Sequence, residues 1–237
     1  MDPKITAAGK HVQCEKPIGL NLSEATLMEE VQKKYPDLRV MEAFMYKFHL
    51  QWGKVKSLIT SGSIGALIHV HIHFSYVQLD PNNIRNQKRM GWGSLLDVGC
   101  YGISAARWFF EEEPLKISGL SEYDPEMKTD RLTSGILQFN KGSATFTCGT
   151  QMERFKVEHV FGSEGKIEIK YPFNCLDLEA TLILQQGSTI DRISFEPVNT
   201  YTLQADHFSK AIRTLEPLLI AVSDSLNNMR IIEKLRD

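Results

Sequence analysis

The sequence predicts a βαβ fragment followed by an α+β domain built on a large open, mostly antiparallel sheet. Three observations carry that expectation. A strand–helix–strand pattern occupies residues 10 to 46; Ala66 to Val77 alternates with a strict period of two; and short strands separated by turn signals fill most of Leu115 to Glu196. The 237 residues, 42% hydrophobic and 24% charged, suffice for a sizeable core and exclude disorder, collagen-like repeats and coiled coil. Lys and Arg number 27 against 29 Asp and Glu, a net charge of -2. No global field therefore favours nucleic acid or an acidic membrane as partner. No apolar run reaches the length of about 18 residues that a membrane span needs. Four scattered cysteines (Cys14, Cys100, Cys148, Cys175), no CxxC pair and no leader-like start imply a reducing, cytoplasmic setting.

Taken in order, Lys10 to Cys14 reads as a strand. Leu22 to Tyr35 reads as an amphipathic helix that Ser23 can cap, and Leu38 to Met45 as a strand buried on both faces. Gln51 to Ser61 is a second helix closed by Gly62. In the next strand Ile68, Val70, Ile72 and Phe74 point one way, His69, His71 and His73 the other. Leu95 to Phe110 repeats apolar residues at helical spacing and stops before Pro114. Strands follow at 115–123, 133–140, 144–150, 156–161, 166–170, 180–185 and 192–196, then helices at 204–213 and 223–235.

Chemistry concentrates at two places. Glu15-Lys16-Pro17 follows the first strand, at the carboxyl end where open α/β sheets hold ligands. Asp97 and Tyr101 lie four residues apart, so one helix face carries a carboxylate and a phenol. A phenol near pKa 10 works poorly as an acid–base group unless a cation such as Lys16, within roughly 4–6 Å, lowers that value. Each residue also has a plainer reading: a solvated lysine, a packed tyrosine, an aspartate at a helix start. His69, His71 and His73, about 6.6 Å apart along one strand face, could offer two imidazoles to zinc. No cysteine or carboxylate supplies an evident third ligand, so no metal is expected.

The runs Gly9 to Pro17, Glu42-Ala43-Phe44-Met45-Tyr46 and Leu95 to Tyr101, in that order, resemble the glucose-fructose oxidoreductase, inositol dehydrogenase and rhizopine-catabolism (Gfo/Idh/MocA) family. The likeness extends to His207-Phe208 and Asn228-Met229-Arg230. It implies an NAD(P)-dependent oxidoreductase with an N-terminal Rossmann domain and a C-terminal α/β domain whose open sheet often forms a dimer interface. On that resemblance Glu15, Lys16 and Pro17 lie at the cofactor, with Lys16 near the nicotinamide and the substrate oxygen. Asp97 is the substrate-side aspartate, and Tyr101 takes the acid–base position, where many members carry histidine. Tyrosine there resembles the branch of dihydrodiol dehydrogenase, xylose dehydrogenases and glucose-fructose oxidoreductase itself. Asn83 to Asn86 resembles a substrate loop, which makes Arg85 a candidate contact. Lys47 stands where arginine is usual, Leu50 where proline is, and Trp92 in a stretch usually rich in glycine. Lys47 and Trp92 are candidate substrate contacts for which the departures alter fork geometry and bulk.

Members of this branch carry a Gly-rich phosphate-binding turn roughly a hundred residues before this motif, and no GxGxxG occurs here. The expectation is therefore that residues 1–46 are the C-terminal remnant of a dinucleotide-binding domain and 47–237 a substrate-binding and dimerisation domain. The implied reaction is hydride transfer at a secondary alcohol of a sugar, polyol or trans-dihydrodiol, with NAD or NADP. The rival is a truncated, inactive homologue that keeps the sheet for self-association or subunit binding.

Overall fold

The computed structural model describes residues 8–90, 93–173 and 178–236. Strand β1 (Val12–Cys14), helix α1 (Leu22–Lys34) and strand β2 (Val40–Glu42) form the expected βαβ unit, with β1 and β2 parallel. The second strand is shorter than its apolar run. A 3-10 turn at Met45–Phe48 intervenes, and His49 then caps helix α2 (Leu50–Thr60) by accepting from the Gln51 amide at 3.1 Å.

The remaining chain supplies β3 (Leu67–Val77), helix α3 (Cys100–Phe110), β4 (Lys116–Tyr123), β5 (Asp130–Gln138), β6 (Ser143–Gly149), β7 (Gln151–Gly162), β8 (Lys166–Ile169), β9 (Ala180–Gln186) and β10 (Thr189–Phe195). Helices α4 (Thr200–Thr214) and α5 (Val222–Arg236) close it. The sheet runs β10-β9-β8-β7-β3-β6-β5-β4, and every neighbouring pair is antiparallel except the central β3 and β6. That parallel pair makes the sheet mixed.

One sheet face is dry. Val70, Ile72, Phe146, Val160, Ile167 and Leu182 are buried, whereas His69, His71, Thr145, Thr147 and His159 keep partial exposure on the other side. Ile68 departs from its expected inward place and is half exposed, because a register shift between Leu67 and His69 breaks the alternation there. The three strand histidines bond hydroxyls of the outer face: His69 to Ser143 and Thr145, His71 to Thr145, and His73 to Ser75.

Helix α3 is buried almost all round, as its nearly uninterrupted apolar sequence requires. Its approach to the sheet depends on Gly102, where a Cβ would meet Phe146 at 3.2 Å and Ile72 at 3.3 Å. The turn before it, Leu95–Gly99, is π-helical, a wider winding common at functional sites. Asp130 holds its start by accepting from the Leu95 amide and the Ser94 hydroxyl, both at 2.7 Å. Cys14, Cys100 and Cys148 are free and buried, and Cys175 lies outside the described residues.

Candidate active site

Lys16 leaves the end of β1, Asp97 and Tyr101 come from the π turn and α3, and all three line one cavity of about 860 Å³. The Lys16 ammonium donates to the Asp97 carbonyl at 2.6 Å and to Oδ1 at 3.1 Å. Both side chains are largely shielded from water, at 12% and 3% exposure, so removing either partner would strand a charge in a low-dielectric place.

Two further donors reach the same carboxylate. Arg85 Nε donates to Asp97 Oδ2 at 3.1 Å, and the Tyr76 hydroxyl donates to that oxygen in a short hydrogen bond. A carboxylate offers about four lone-pair sites. Three are filled by the protein, so Asp97 organises its neighbours and has little capacity left to serve as a general base. Burial, reinforced by the Asp97 charge and hydrogen bond, holds the Tyr76 hydroxyl above the usual phenol range, and it stays a donor.

Tyr101 shares the cavity, but its expected activation by Lys16 needs correction. The ammonium sits 5.0 Å from the centre of the Tyr101 ring, against the π face. Among the described residues the hydroxyl bonds only the weak acceptor Met45 Sδ, at 3.7 Å. Burial drives the phenol well above its ordinary pKa, and the nearby acidic groups push it the same way. Tyr101 is therefore a neutral phenol held in an aromatic nest of Phe44, Tyr46, Phe74 and Phe173, with ring centres 5.2–5.6 Å away.

The other candidates divide. Glu15 and Arg85 line the cavity. Pro17 closes the Lys16 turn through a cis peptide bond. Lys47 is not a cavity residue: it is buried, paired with Asp224 at 3.0 Å, and lies 4.9 Å from the Trp108 ring. Arg107, itself chelated by Glu113, reaches the same Asp224 at 2.8 Å. Lysine at 47 thus serves an internal ion network, and its burial pulls its pKa down. Trp92 lies outside the described residues. His159 points to the outer face toward Glu168, 3.8 Å away, and is absent from the cavity wall.

Tyr76, Phe74, Lys156, Phe173 and Tyr201 are wall residues that sequence reasoning did not select. For Tyr76 a signal existed, since it continues the inward series Val70, Ile72, Phe74 on β3. The Lys156 ammonium lies 4.5 Å from the Phe74 ring. Nothing in the sequence joins Phe173 or Tyr201 to that wall.

The donor set fits the nicotinamide end of a dinucleotide: a roomy cavity, aromatic walls and a lysine at the carboxyl end of a parallel strand. Helix α1 does not fit the phosphates. Its N-terminal Glu24 amide is already capped by Asn21 at 2.9 Å, and Glu24 places a negative charge in the first turn. Among the described residues no helix is long and apolar enough to cross a membrane, and no cluster of three His, Cys, Asp or Glu side chains could hold a metal.

Comparison with known proteins gives this geometry a lineage. Residues 52–168 match the GFO/IDH/MocA C-terminal domain. An uncharacterized oxidoreductase of Rhizobium meliloti is 37% identical over 97% of this chain and 70% of its own length. The D-xylose 1-dehydrogenase (NADP(+)) 2 of Haloferax volcanii is 28% identical over 95% of this chain and 69% of its own. The human trans-1,2-dihydrobenzene-1,2-diol dehydrogenase is 28% identical over 71% of this chain and 50% of its own. Among solved structures, the aldose-aldose oxidoreductase from Caulobacter crescentus, complexed with glycerol, superposes with a TM-score of 0.90 at 24% identity. It covers 98% of this chain and 70% of that one. A 3-ketoreductase from Actinomadura kijaniata, in complex with NADP and TDP-benzene, superposes at 0.91 and 22% identity, over 99% and 72%. With its sheet, its helices and most of its length shared with these oxidoreductases, the chain belongs to the Gfo/Idh/MocA family.

Proposed function

We propose that this chain carries the substrate-side chemistry of an NAD(P)-dependent oxidoreductase acting at a secondary alcohol, or the matching ketone, of a sugar, polyol or trans-dihydrodiol. The observation that supports it is the convergence on one cavity of Lys16 with Asp97, 81 positions further along the chain, and with Tyr101 four residues beyond it. The substrate class is supported by the xylose and dihydrodiol dehydrogenases among the relatives and by the aromatic walls, whose faces suit the C–H surface of a ring.

The nicotinamide supplies or accepts the hydride when bound. The chain's residues do the rest. Lys16, fixed by the Asp97 carbonyl and carboxylate, presents a positive charge to the substrate oxygen and stabilises charge developing there. Arg85 and Tyr76 hold the carboxylate so that Lys16 does not swing. Tyr101 enters the step protonated: in the reductive direction its hydroxyl leaves a weak sulfur contact and gives its proton to the carbonyl oxygen as hydride reaches the carbon, and the Lys16 ammonium, 5.0 Å from the ring centre, offsets the charge left on the buried phenolate. The outer sheet face, with Leu120 84% and Ile136 53% exposed, is proposed to pair with a second copy of the chain.

The reading is tested by nicotinamide-coupled turnover on aldoses, polyols and trans-dihydrodiols. Lys16→Met should abolish turnover by about a hundredfold or more. Breaking a buried pair costs about 3–5 kcal/mol, so folding of the variant is checked by circular dichroism. A folded Lys16→Met protein with near-normal turnover refutes the proposal.

A further inference from the structure

Beneath the turn that carries Lys16 lies a carboxyl that the chemistry above does not use. Glu42, the last residue of β2, is 1% exposed, and its Oε1 accepts from the Ile18 amide at 2.9 Å. Oε2 is buried with no hydrogen-bond partner among the described residues. Ile18 stands two residues after Lys16 and is itself 1% exposed. A second carboxylate, Glu24, takes the Leu20 amide at 3.0 Å. The turn from Lys16 to Leu20 thus hangs from two acids, one on the helix and one in the core.

We propose that Glu42 is a positioning residue for Lys16: by gripping the Ile18 amide it sets the turn that aims the ammonium into the cavity, and the grip tightens when its carboxyl loses a proton. The proposal rests on the reading of Lys16 as the cavity's working cation. Its physical basis is that a hydrogen bond to an ionised acceptor is roughly twice as strong as one to a neutral acceptor. Glu42 is placed to make that change near neutrality, since burial raises its pKa to about 7.

The groups facing it come from every neighbouring element. Ser225 and Asp224 of α5, Lys47 of the 3-10 turn and the Ile18 amide act directly on the carboxyl: Ser225, Ile18 and Lys47 favour the ion, and Asp224 opposes it. Cys14 of β1 and Cys100 of α3 also feel its charge, but burial lifts their thiols to about 11 and about 12. Both stay neutral while Glu42 titrates.

The test is an amide titration of the full chain by NMR between pH 5.5 and 8.5. The Ile18 and Lys16 amide resonances should move together with a midpoint near 7, and Glu42→Gln, which keeps an acceptor of the same shape, should flatten both. At pH 8 that variant should also exchange the Ile18 amide proton about fivefold to tenfold faster. Lys47→Met should raise the midpoint in an otherwise intact titration, because a charge that favours the ion is lost. The wild-type titration needs no variant to fold. A flat Ile18 resonance, a titration that survives Glu42→Gln, or a shift at Ile18 without one at Lys16 would each overturn the proposal. None of these depends on turnover, so failure here is separate from a failure of the oxidoreductase reading, which Lys16→Met decides.

Discussion

Replacing Tyr101 by phenylalanine should separate chemistry from folding. Among the described residues the hydroxyl makes one hydrogen bond, to Met45 Sδ at 3.7 Å, and sulfur is a weak acceptor. An ordinary hydrogen bond contributes about 0.5–1.5 kcal/mol net, so this one should lie at or below the lower end. Every ring contact survives, because phenylalanine fills the same space between Phe44, Tyr46, Phe74 and Phe173. The melting temperature should therefore move by no more than about 2–4 °C. Loss of a general acid costs 10²- to 10⁴-fold in rate, about 2.7–5.5 kcal/mol of barrier. Turnover with saturating cofactor should fall by that factor, while cofactor affinity stays nearly constant because the phenol does not hold the nucleotide. The assay follows nicotinamide absorbance for both proteins, beside a thermal melt. Retention of more than about a third of wild-type turnover, against that expected loss, would remove Tyr101 from the acid–base role, as would a collapse of the melting temperature that explained the lost rate.

Glu158 is buried with neither carboxylate oxygen hydrogen-bonded among the described residues, and burial alone holds its pKa well above a free glutamate's 4.5. A raised folded-state pKa means that its contribution is most favourable below about 4.5 and is lost as pH rises through the folded value. Glu158→Met, similar in volume, should stabilise the protein by about 1–3 kcal/mol at pH 8 and by less at pH 5; denaturant melts at the two pH values check this, and equal or negative changes would contradict it. On the outer face, the sheet should associate with a second copy at tens of micromolar. His71→Glu should weaken that dimer roughly tenfold or more by burying an unpaired charge, which sedimentation equilibrium reads directly; a wild-type chain that stays monomeric there refutes the pairing.

The periodic part of the architecture was legible from the chain alone. Alternation over β3 separates Val70, Ile72 and Phe74 from the three histidines, and helical spacing through Phe110 brings Asp97 and Tyr101 to one cavity. These patterns are local, and dihedral geometry turns them into faces whatever the rest of the chain does. The charge partners were not local. Lys16 finds Asp97 across 81 positions and Lys47 finds Asp224 across 177, and no spacing rule announces either pair. Lys47 reads as a substrate contact until burial shows it locked into Asp224 and Trp108. Lys16 reads as the cation that acidifies Tyr101 until packing sets it over the ring, with the hydroxyl turned to a methionine. Tyr76 could have been found by extending the β3 alternation one step; Glu42 heads a run that carries the family resemblance, but no role could be read for it until the Ile18 amide met its carboxyl. The sequence by itself determined which faces are apolar and where the reactive side chains stand along the chain. Only tertiary structure decided which charges are desolvated together, because pKa and ion pairing depend on distances of a few ångströms between residues far apart in the chain.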